Sequence, residues 1–559
     1  MGEGKRQFHE VEFSNSFVEE LLSEVGGPNH SRAVPGYFSA QVSPTPVADP
    51  HLLAWSQELG DYLGLERPSE RGLSADALAG NLTTPSMKPF AARYGGHQFG
   101  SWAGQLGDGR AISLGEVAAL DGSRREIQLK GAGPTPFSRR ADGRAVLRSS
   151  VREFLCSEAM HWLGVPTTRA LSLVATGDIV ARDMFYLGDP RPEPGAIVAR
   201  VAPTFVRFGN FELLAVSGEL DNLKALADYV IRRHYPQLLA GSGSPSEVEG
   251  GEEPGAHTPI PPPSHTPLSE EIYLRWFTEV ARRTAVMIAH WMTVGFVHGV
   301  MNTDNMSVLG LTIDYGPYGW LEPYEPGWTP NTTDFGQRRY AFGEQPRVAL
   351  WNLLMLARAL VPLVSNGDDL SVGLETYRST LAETHRALML RKLGLQPAEL
   401  EADGSLFQEL EAALTASGVD MTRFFRQLSH TAPELLTRPA GDEARFRELI
   451  EASAYPDITE HGALLQWLEQ YARRLRSEGR PADAVRAGML AANPKYVLRN
   501  YLAQQAIDAA TAGDLAPLHR LMHVLRTPFD EQPEHDELAA RRPEWARTKP
   551  GCATLSCSS

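Results

Sequence analysis

Residues that carry oxygen ligands lie close together between His298 and Gly316, in the segment HGVMNTDNMSVLGLTIDYG. Asp304 and Asn305 are adjacent, and after a short apolar stretch Asp314 precedes Tyr315-Gly316. Hard divalent cations prefer carboxylate and amide oxygens, and nucleotide phosphates complete their coordination shell. These residue types therefore predict a site for Mg²⁺ that bridges the phosphates of a nucleotide.

Protein kinases build their metal site in the same way, with an asparagine of the catalytic loop and the aspartate of Asp-Phe-Gly. Against the kinase pattern His-Arg-Asp-Leu-x-x-x-Asn, His298 and Asn305 fall in register, seven residues apart. The position of the catalytic aspartate, however, is Val300. A kinase without its base is not expected to phosphorylate normally, yet the metal ligands are kept.

A glycine-rich segment, RYGGHQFGSWAGQLGDGRAISLGEV, runs from Arg93 to Val117. Glycines let backbone N–H groups approach phosphate oxygens, although such a loop is as often a simple tight turn. The hairpin turn Asp121-Gly122 follows, and then a strand pattern from Glu126 that ends at Lys130. This order of strands, glycine loop and lysine is that of a kinase amino-terminal lobe.

Lys130 is predicted to contact the α- and β-phosphates, and it then needs a carboxylate to orient it. Glu153 lies near the start of a helix predicted from Ser150 to Leu163. It is either the fourth residue of a capping box or the partner of Lys130. The pairing is favoured because this helix follows the lysine strand in the required order.

Arginines are concentrated after Lys130, where a triphosphate would call for positive charge. This basic segment contains Arg139, Arg140, Arg144 and Arg148, and the turn Asp142-Gly143 within it is a further candidate for contact with a nucleotide. Farther on, Arg200 and Arg207 interrupt an apolar strand pattern. A buried arginine needs an anionic partner, so these two either clamp the terminal phosphate or form ordinary ion pairs at a surface edge.

The elements that position these residues predict an α+β protein with two lobes arranged as in protein kinases. The predicted units are an N-terminal extension of short helices and loops (1–90), a first lobe with the glycine loop, the lysine strand and an αC-like helix (91–215), a helical connection (216–240), a Pro-rich insertion (241–267), a helical lobe with the catalytic and metal-binding loop (268–526) and a flexible tail (527–559). The insertion is acidic and poor in apolar residues, and it is predicted to be disordered.

The balance of charge excludes several kinds of partner. The chain has 559 residues and a formal net charge of −15, which argues against non-specific binding to nucleic acid and against docking on acidic membranes. No run reaches the roughly 18 uncharged apolar residues of a membrane span, and the N-terminus lacks a signal-peptide pattern. A cytoplasmic location is expected.

The chain contains three cysteines. Cys156 lies in an apolar helix pattern and is expected to be inert core. Cys552 and Cys557 lie in the tail GCATLSCSS, with no His or further Cys at metal-finger spacing, so they favour redox chemistry over zinc. The alternative, two solvated thiols in a frayed terminus, is equally open.

Four long motifs are YGGHQFGSWAGQLGDGRA, IQLKGAGPTPFSRRADGRAVLRSSVREFL, ARVAPTFVRFG and HGVMNTDNMSVLGLTIDYGP. Together they resemble the selenoprotein O family of kinase-fold protein adenylyltransferases, which includes bacterial members. The resemblance spans nearly the whole chain. It extends to Cys557, the third residue from the C-terminus, where some relatives carry selenocysteine.

The resemblance implies transfer of AMP from ATP to Ser, Thr or Tyr hydroxyls of proteins, with self-modification among the outcomes and diphosphate released. The nucleotide is then reversed in the cleft, so that the α-phosphate meets the acceptor and Asp304 is the proton acceptor. The resemblance also implies that Asn305 and Asp314 hold Mg²⁺ or Mn²⁺. The further nucleotide contacts it implies are Lys130, oriented by Glu153, Arg200 and Arg207 on the outward phosphates, and Gly107, Gly109, Arg110, Asp142 and Gly143.

Two features depart from the family pattern. The tail has Cys-x₄-Cys, whereas relatives with a redox pair usually have a closer spacing, so a Cys552–Cys557 disulfide is left open. The insertion 241–267 looks peculiar to this chain.

Three functions other than AMP transfer are consistent with parts of the sequence. UMP transfer with Mn²⁺ uses the same residues, a conventional kinase is disfavoured by Val300, and a catalytically dead nucleotide-binding scaffold is disfavoured by the intact metal ligands.

Overall fold

A large sheet in the order β1-β2-β4-β7-β8-β10-β9-β3 carries the predicted lysine strand, in a computed structural model that describes residues 4–239, 267–437, 443–457 and 460–556. The strands are β1 (Ser23–Glu24), β2 (Ser39–Gln41), β3 (His51–Trp55), β4 (Phe90–Ala92), β5 (His97–Gln98), β6 (Ser101–Trp102), β7 (Ala111–Ala118), β8 (Arg124–Lys130), β9 (Arg169–Arg182), β10 (Arg191–Ala202), β11 (Phe296–Val297) and β12 (Gly319–Trp320). Two two-stranded pairings lie outside this sheet: the hairpin β5–β6, and the pair β11–β12, whose strands flank the segment with Asp304 and Asp314.

Helices pack on the sheet and form most of the second half of the chain. They are α1 (Ser16–Glu20), α2 (Gln57–Tyr62), α3 (Leu73–Leu78), α4 (Leu147–Trp162), α5 (Phe208–Val216), α6 (Leu220–His234), α7 (Glu270–Val294), α8 (Gln345–Leu360), α9 (Ser371–Leu393), α10 (Leu400–Ser417), α11 (Met421–Thr437), α12 (Glu443–Ser453), α13 (Gly462–Ser477), α14 (Ala482–Ala492), α15 (Asn500–Thr511) and α16 (Ala516–Leu525). The α+β class predicted from the sequence is confirmed.

Strand β8 lies between β7 and β10 and is antiparallel to both. Successive side chains of a strand point to opposite faces, so the sequence EIQLK separates two environments. Ile127 and Leu129 are fully buried in one apolar cluster. Glu126, Gln128 and Lys130 alternate with them and form a buried polar row on the other face. Lys130, at the end of the strand, is thereby placed at the edge of this polar row.

Helix α4 packs against β9 and β10 on one side and against α15 and α16 on the other. Its N-cap is Val146, and the buried positions run along nearly its whole length. Arg152 donates from Nη2 to the carbonyl of Tyr318 at 2.8 Å, and the Tyr318 hydroxyl donates back to the carbonyl of Arg152 at 2.8 Å. The helix is therefore fixed both to the sheet and to the helical half of the chain.

Residues 1–90 are more than an extension of short helices and loops, because four of their segments, β1 to β4, are strands of the large sheet or run into it. Three of these strands have two to three residues, which is too short for an alternating pattern to be visible in the sequence. Helix α5 is a further element that was not predicted from the sequence.

Residues 527–556 pack against the rest of the protein, so the prediction of a flexible tail does not describe them. Ala539, Ala546 and Leu555 are buried, and Leu555 pairs with Asn331 in an isolated bridge. Cys552 is also buried, which rules out a solvated thiol there, and burial raises its pKa to about 11. Cys557 and residues 241–266 of the predicted insertion lie outside the described residues.

One helical segment in the described part of the chain, Phe342–Leu363, is long and apolar enough by composition to cross a membrane. Its mean hydropathy of 1.2 is at the lower limit for such a segment, and half of it is buried inside the protein. The core helix of a globular domain has the same properties, so this segment is weak evidence for a span.

The polar face of the sheet leads to a first prediction, on Glu126→Gln. Burial raises the pKa of Glu126 to about 7. Hydrogen bonds from Ser113 and from the backbone of Phe205 lower the pKa, but they offset only part of the effect of burial. The folded state then binds the proton more tightly than the unfolded state, so stability is lost as the pH rises from about 4.5 to about 7. Since glutamine cannot ionise, the variant should be more stable at about pH 8, by on the order of 1–3 kcal/mol.

Urea unfolding of both proteins at about pH 5 and pH 8 measures this difference, which should largely disappear at the lower pH. Glu383→Gln, at an exposed position of α9, is the matched control and should change little at either pH. A Glu126→Gln variant that is less stable than the parent at both values would contradict the expected ionisation.

Candidate functional site

Three cations converge on the carboxylate of Asp314. Arg200 Nη1 lies 2.6 Å and Lys130 Nζ 3.5 Å from Oδ1, and Arg207 Nη1 donates to Oδ2. The two guanidinium groups are almost completely buried. Asp314 itself has φ of 56°, an uncommon conformation for a residue with a side chain. The fold thus collects, around one carboxylate, residues from β8, β10 and the loop that precedes α5.

The pKa values of this cluster follow from burial and charge. Burial opposes ionisation of Asp314, but the positive charges of Arg207, Arg200 and Lys130 outweigh it and hold the pKa well below its usual range. Burial lowers the pKa of Lys130, and the carboxylates of Glu153 and Asp314 compensate only in part. The cluster therefore keeps its charges because they neutralise one another.

Glu153 forms the ion pair with Lys130 that the sequence favoured, with 2.7 Å between Nζ and Oε2. Its other oxygen lies 3.2 Å from Arg200 Nη1. The capping-box alternative does not apply, because α4 begins at Leu147 and Glu153 lies in its second turn. Helix α4 therefore orients both Lys130 and Arg200 through one carboxylate.

Asp304 lies in the short 3₁₀ turn Thr303–Asn305, next to the cation cluster. Its backbone carbonyl accepts a hydrogen bond from Arg207 Nη1 at 2.8 Å, and Gln98 Nε2 donates to its Oδ2 at 3.3 Å. Its Oδ1 is buried and has no hydrogen-bond partner among the described residues. Burial raises the pKa of Asp304 to about 7, with Arg207 and Gln98 offsetting only part of the effect.

Val300 occupies the position of the missing kinase aspartate. Its side chain is apolar and buried, and its backbone carbonyl contacts the Asp304 loop. Its carbonyl accepts a hydrogen bond from Asn305 Nδ2 at 2.9 Å. His298, in register with the kinase histidine, is buried and bonds through Nε2 to the carbonyl of Ile313 at 2.8 Å. The histidine thereby connects the Asp304 loop to the segment that carries Asp314.

The donor atoms fit a hard divalent cation that is shared with phosphates. The amide of Asn305 is held by its Nδ2, and its oxygen accepts no hydrogen bond from the described residues. Asp314 supplies a carboxylate, and Asp304 Oδ1 is an unpartnered oxygen close by in the chain. No group of three or more His, Cys, Asp or Glu in the described residues is arranged to hold a metal ion. Asn305 and Asp314 would therefore need phosphate and water oxygens to complete the shell of a divalent cation.

Asp108 brings the glycine-rich segment close to the cation cluster. It lies between Gly107 and Gly109, the two glycines that are predicted to contact the nucleotide. Asp108 Oδ1 lies 3.9 Å from Arg207 Nη2, and Asp108 Oδ2 accepts hydrogen bonds from Gln128 and from the backbone of Ala92. Gly107 has φ of 136°, and a Cβ there would lie 2.4 Å from the Phe137 ring; at Gly109 it would lie 2.8 Å from the Phe137 carbonyl. Arg110 is close enough to Lys130 to contribute to lowering its pKa.

Asp142 and Gly143 form a turn. Among the described residues, this turn makes no contact with the cation cluster. Asp142 forms a half-exposed ion pair with Arg182 at 2.6 Å. A Cβ at Gly143 would lie 2.1 Å from the carbonyl of Gly133, so this turn rests on the loop that follows β8. Two arginines of the basic segment are structural: Arg148 pairs with Glu193 at 2.8 Å, and Arg144 donates to the carbonyl of Thr45.

Comparison with known proteins identifies the family. The profile described as "Protein adenylyltransferase SelO" matches residues 28–526. The chain belongs to the SelO family. Relatives named "Protein nucleotidyltransferase YdiU" occur in Nitrosospira multiformis, 52% identical over 573 residues (98% of this chain and 97% of the relative), and in Azoarcus sp. strain BH72, 53% identical over 553 residues (98% and 99%). A third, from Xanthomonas campestris pv. campestris, is 52% identical over 551 residues (98% and 99%).

Membership of the SelO family confirms the resemblance drawn from the four motifs, and it makes the chain a nucleotidyltransferase with a nucleotide as substrate. The match begins well before the glycine-rich segment and includes the strands of residues 28–92. Strands β2 and β3, which sequence analysis left outside the first lobe, therefore lie within the region matched by the family profile, whereas β1 precedes it.

Several residues of this SelO-family site were not found from the sequence. Asp108 and Gln98 lie within the first long motif, but no spacing rule separates them from its other polar residues. Glu212 is a third. It accepts one hydrogen bond from Thr303 Oγ1 and bonds to His97 Nδ1 at 3.0 Å, and the backbone N–H of His97 donates to Thr303 Oγ1 at 2.7 Å. This buried carboxylate fixes the loop of Asp304 against the β5–β6 hairpin.

A second prediction follows from the close approach of Gly96 to Asp304. A Cβ at Gly96 would lie 2.5 Å from Asp304 Oδ1 and 2.8 Å from its Cβ. Gly96→Ala should displace the Asp304 side chain and lower the rate of nucleotidyl transfer by about a hundredfold, because a displacement of about 1 Å is enough for such a loss. The measurement is kcat with saturating ATP, beside the thermal midpoint of unfolding.

Gly488→Ala, where a Cβ meets nothing within 4 Å, is the control and should retain full activity. Unchanged kcat in Gly96→Ala would show that the position of Asp304 is unimportant.

Proposed function

We propose that this protein transfers AMP from ATP to Ser, Thr or Tyr hydroxyls of proteins, itself included, and releases diphosphate. The observation that carries the proposal is Asp304, a buried carboxylate with one unpartnered oxygen, beside a cluster of three cations. The SelO profile, which bears the name of a protein adenylyltransferase, supports AMP as the transferred group.

The reaction forms one bond and breaks one. The acceptor oxygen attacks the α-phosphorus, and the bond between that phosphorus and the oxygen bridging to the β-phosphate breaks, so that diphosphate leaves with the electron pair. The hydroxyl proton passes to Asp304. A base is most useful when its pKa lies near the working pH, and the pKa of Asp304 is raised to about 7. Because such transition states depend mainly on positioning and charge neutralisation, this modest base is sufficient.

Lys130, Arg200 and Arg207 are proposed to bind the phosphates. They exchange part of their contact with Asp314 for contact with phosphate oxygens, for which guanidinium groups are suited by their paired donors. Glu153 holds Lys130 and Arg200 in place during this exchange. Asn305 and Asp314 would hold Mg²⁺ or Mn²⁺, which when bound neutralises phosphate charge. Gly107, Gly109, Arg110, Asp142 and Gly143 are proposed as further contacts to the nucleotide.

We further propose that the two halves of the chain form the lobes of a kinase-like fold with the nucleotide reversed in the cleft. Lys130 on a central strand, Glu153 on the helix after it and Asp314 after the Asp304 loop lie in the order of the kinase elements. With Val300 where a kinase has its base, the terminal phosphate has no proton acceptor in the usual place. Reversal instead brings the α-phosphate to Asp304. A cytoplasmic location is also proposed, in keeping with the acidic composition of the chain.

The test uses purified protein, Mg²⁺ or Mn²⁺, and ATP labelled at either the α- or the γ-phosphate. Label retained on protein from α-labelled ATP alone is the expected result. Label from γ-labelled ATP alone would make the protein a kinase and overturn the reversed orientation. ATP binding with no label from either would leave the scaffold alternative. Uridine triphosphate labelled at the α-phosphate, tested in parallel with Mn²⁺, reads out UMP transfer at the same residues.

A further inference from the structure

A cavity of about 300 Å³ lies behind helix α4, between this helix, the segment β3–α2 and helix α16. The residues of α4 that line it are Leu155, Glu158, Ala159 and Trp162. Each residue of an α-helix is rotated by about 100° from the one before, so these four project from the side of α4 opposite Glu153. One helix therefore separates the cavity from the Lys130–Glu153 ion pair.

The walls of the cavity are joined by direct contacts. His519 of α16 bonds through Nε2 to the carbonyl of Leu53 in β3 at 2.8 Å. Arg526, just after α16, forms an ion pair with Glu58 of α2. Because these contacts tie α16 to the opposite wall, the cavity is formed by the fold itself, as small-molecule sites usually are.

The charges that line the cavity leave one cation uncompensated. Glu158 is bound by Arg169 at 2.7 Å and accepts a hydrogen bond from Ser56 Oγ at 2.6 Å. Glu58 is neutralised by Arg526. Arg67 is exposed at the wall of the cavity and has no ion pair or hydrogen bond of its side chain among the described residues. The free charge offered to a ligand is therefore positive.

Most of the remaining lining residues are apolar, namely Trp55, Trp162, Leu155, Ala159, Met522 and Leu525, whereas Gln57 and His523 are polar. A volume of about 300 Å³ is at the lower end of the range for ligand sites, which accommodates a compound of one or two fused rings. Apolar walls with one guanidinium at the edge select a planar apolar body that carries a carboxylate or a similar anion, since guanidinium binds such groups through two donors.

We propose that this cavity binds a small planar anion and that its occupancy is coupled through α4 to nucleotide binding. The ligand would contact the rear face of α4, whose front face presents Glu153 to Lys130 at 2.7 Å. If binding at one face of the helix changes the affinity at the other, the reverse effect has the same size. The binding of the anion stands by itself, whereas the coupling rests on the proposed role of Lys130 in holding ATP.

Calorimetric titration of the full chain with 2-naphthoate tests the site. Binding is expected, with the uncharged 2-naphthamide at least about tenfold weaker, a difference of about 1.4 kcal/mol. Arg67→Glu should weaken naphthoate to the same degree. The control Arg473→Glu, an exposed arginine of α13, should not. Met522→Trp, which fills the cavity from its partly exposed wall, should abolish binding of both compounds. Equal affinity for the acid and the amide, unchanged affinity in Arg67→Glu, or no binding of either compound would overturn the site.

The coupling is tested by measuring ATP affinity with and without saturating naphthoate. A change of at least about threefold, absent in Met522→Trp, is expected. The same ATP affinity in both conditions would overturn the coupling. Failure of the protein to bind ATP at all would instead count against the proposed function, and the naphthoate titration would still decide whether the cavity is a site.

Discussion

Asp304→Asn should lower the rate of nucleotidyl transfer by about 10²- to 10⁴-fold, which is the usual contribution of a general base. Asparagine has nearly the same size and keeps the oxygen that Gln98 Nε2 contacts at 3.3 Å, but it cannot take up a proton. The contact of Arg207 is to the backbone carbonyl, so it is retained. ATP affinity should therefore stay within about threefold of the parent, since binding and proton transfer are separate demands on the site.

Single-turnover transfer with α-labelled ATP, beside a direct titration of ATP, measures these two quantities separately. Asp403→Asn is the matched control, because Asp403 is also a buried aspartate but pairs with Arg386 in the helical half of the chain. It should leave the chemical step unchanged. A loss of ATP binding in Asp304→Asn that accounts for the whole loss of rate would show that Asp304 binds the nucleotide and does not act as the base.

Much of the site could be predicted because its residues carry local signals. Lys130 ends an alternating strand, and Glu153 follows in the next helix, so the known order of kinase elements is enough to place the two side chains together. Asp314 and Asn305 were found from their residue types and spacing. In each case a short stretch of sequence contained both the chemistry and the element that positions it.

What could not be predicted depends on contacts between distant parts of the chain. The raised pKa of Asp304 results from burial by Gly96 and its neighbours, which lie about two hundred residues earlier. The role of Asp108 depends on its distance from Arg207, and nothing in the glycine-rich motif indicates it. Likewise, Leu555 looks like part of a polar tail until its bridge to Asn331 is seen.

The anionic partner of Arg200 and Arg207 in the structure is a further feature that was not predicted from the sequence. Sequence reasoning required an anion for two arginines in an apolar strand pattern and left open a terminal phosphate or an ion pair at a surface edge, and the family resemblance implied the phosphate. In the structure, the carboxylate of Asp314 fulfils that requirement, while Arg200 also contacts Glu153. Under the proposed function, the phosphates of a nucleotide compete with a carboxylate of the protein for the same guanidinium groups.

This competition leads to the prediction for Asp314→Asn, which should separate phosphate binding from catalysis. Transfer should fall by at least about a thousandfold, because a proposed metal ligand is lost and one charge that orients Lys130 disappears. In the absence of divalent cations, however, ATP should bind more tightly than to the parent protein, since Arg200 and Arg207 no longer have their carboxylate. Wild-type Asp314 keeps its low pKa through these same cations, so the expected gain is the counterpart of that shift.

Removal of Asp314 also leaves two buried guanidinium groups poorly neutralised, which should cost about 3 kcal/mol or more of stability. Asp420→Asn is the control for this cost, because Asp420 holds the buried Arg499 through two hydrogen bonds at 2.7 and 2.9 Å away from the site. It should destabilise the protein to a similar degree without changing metal-free ATP affinity. If ATP without metal binds more weakly to Asp314→Asn than to the parent, Arg200 and Arg207 do not hold phosphates, and the anion they require is Asp314 alone.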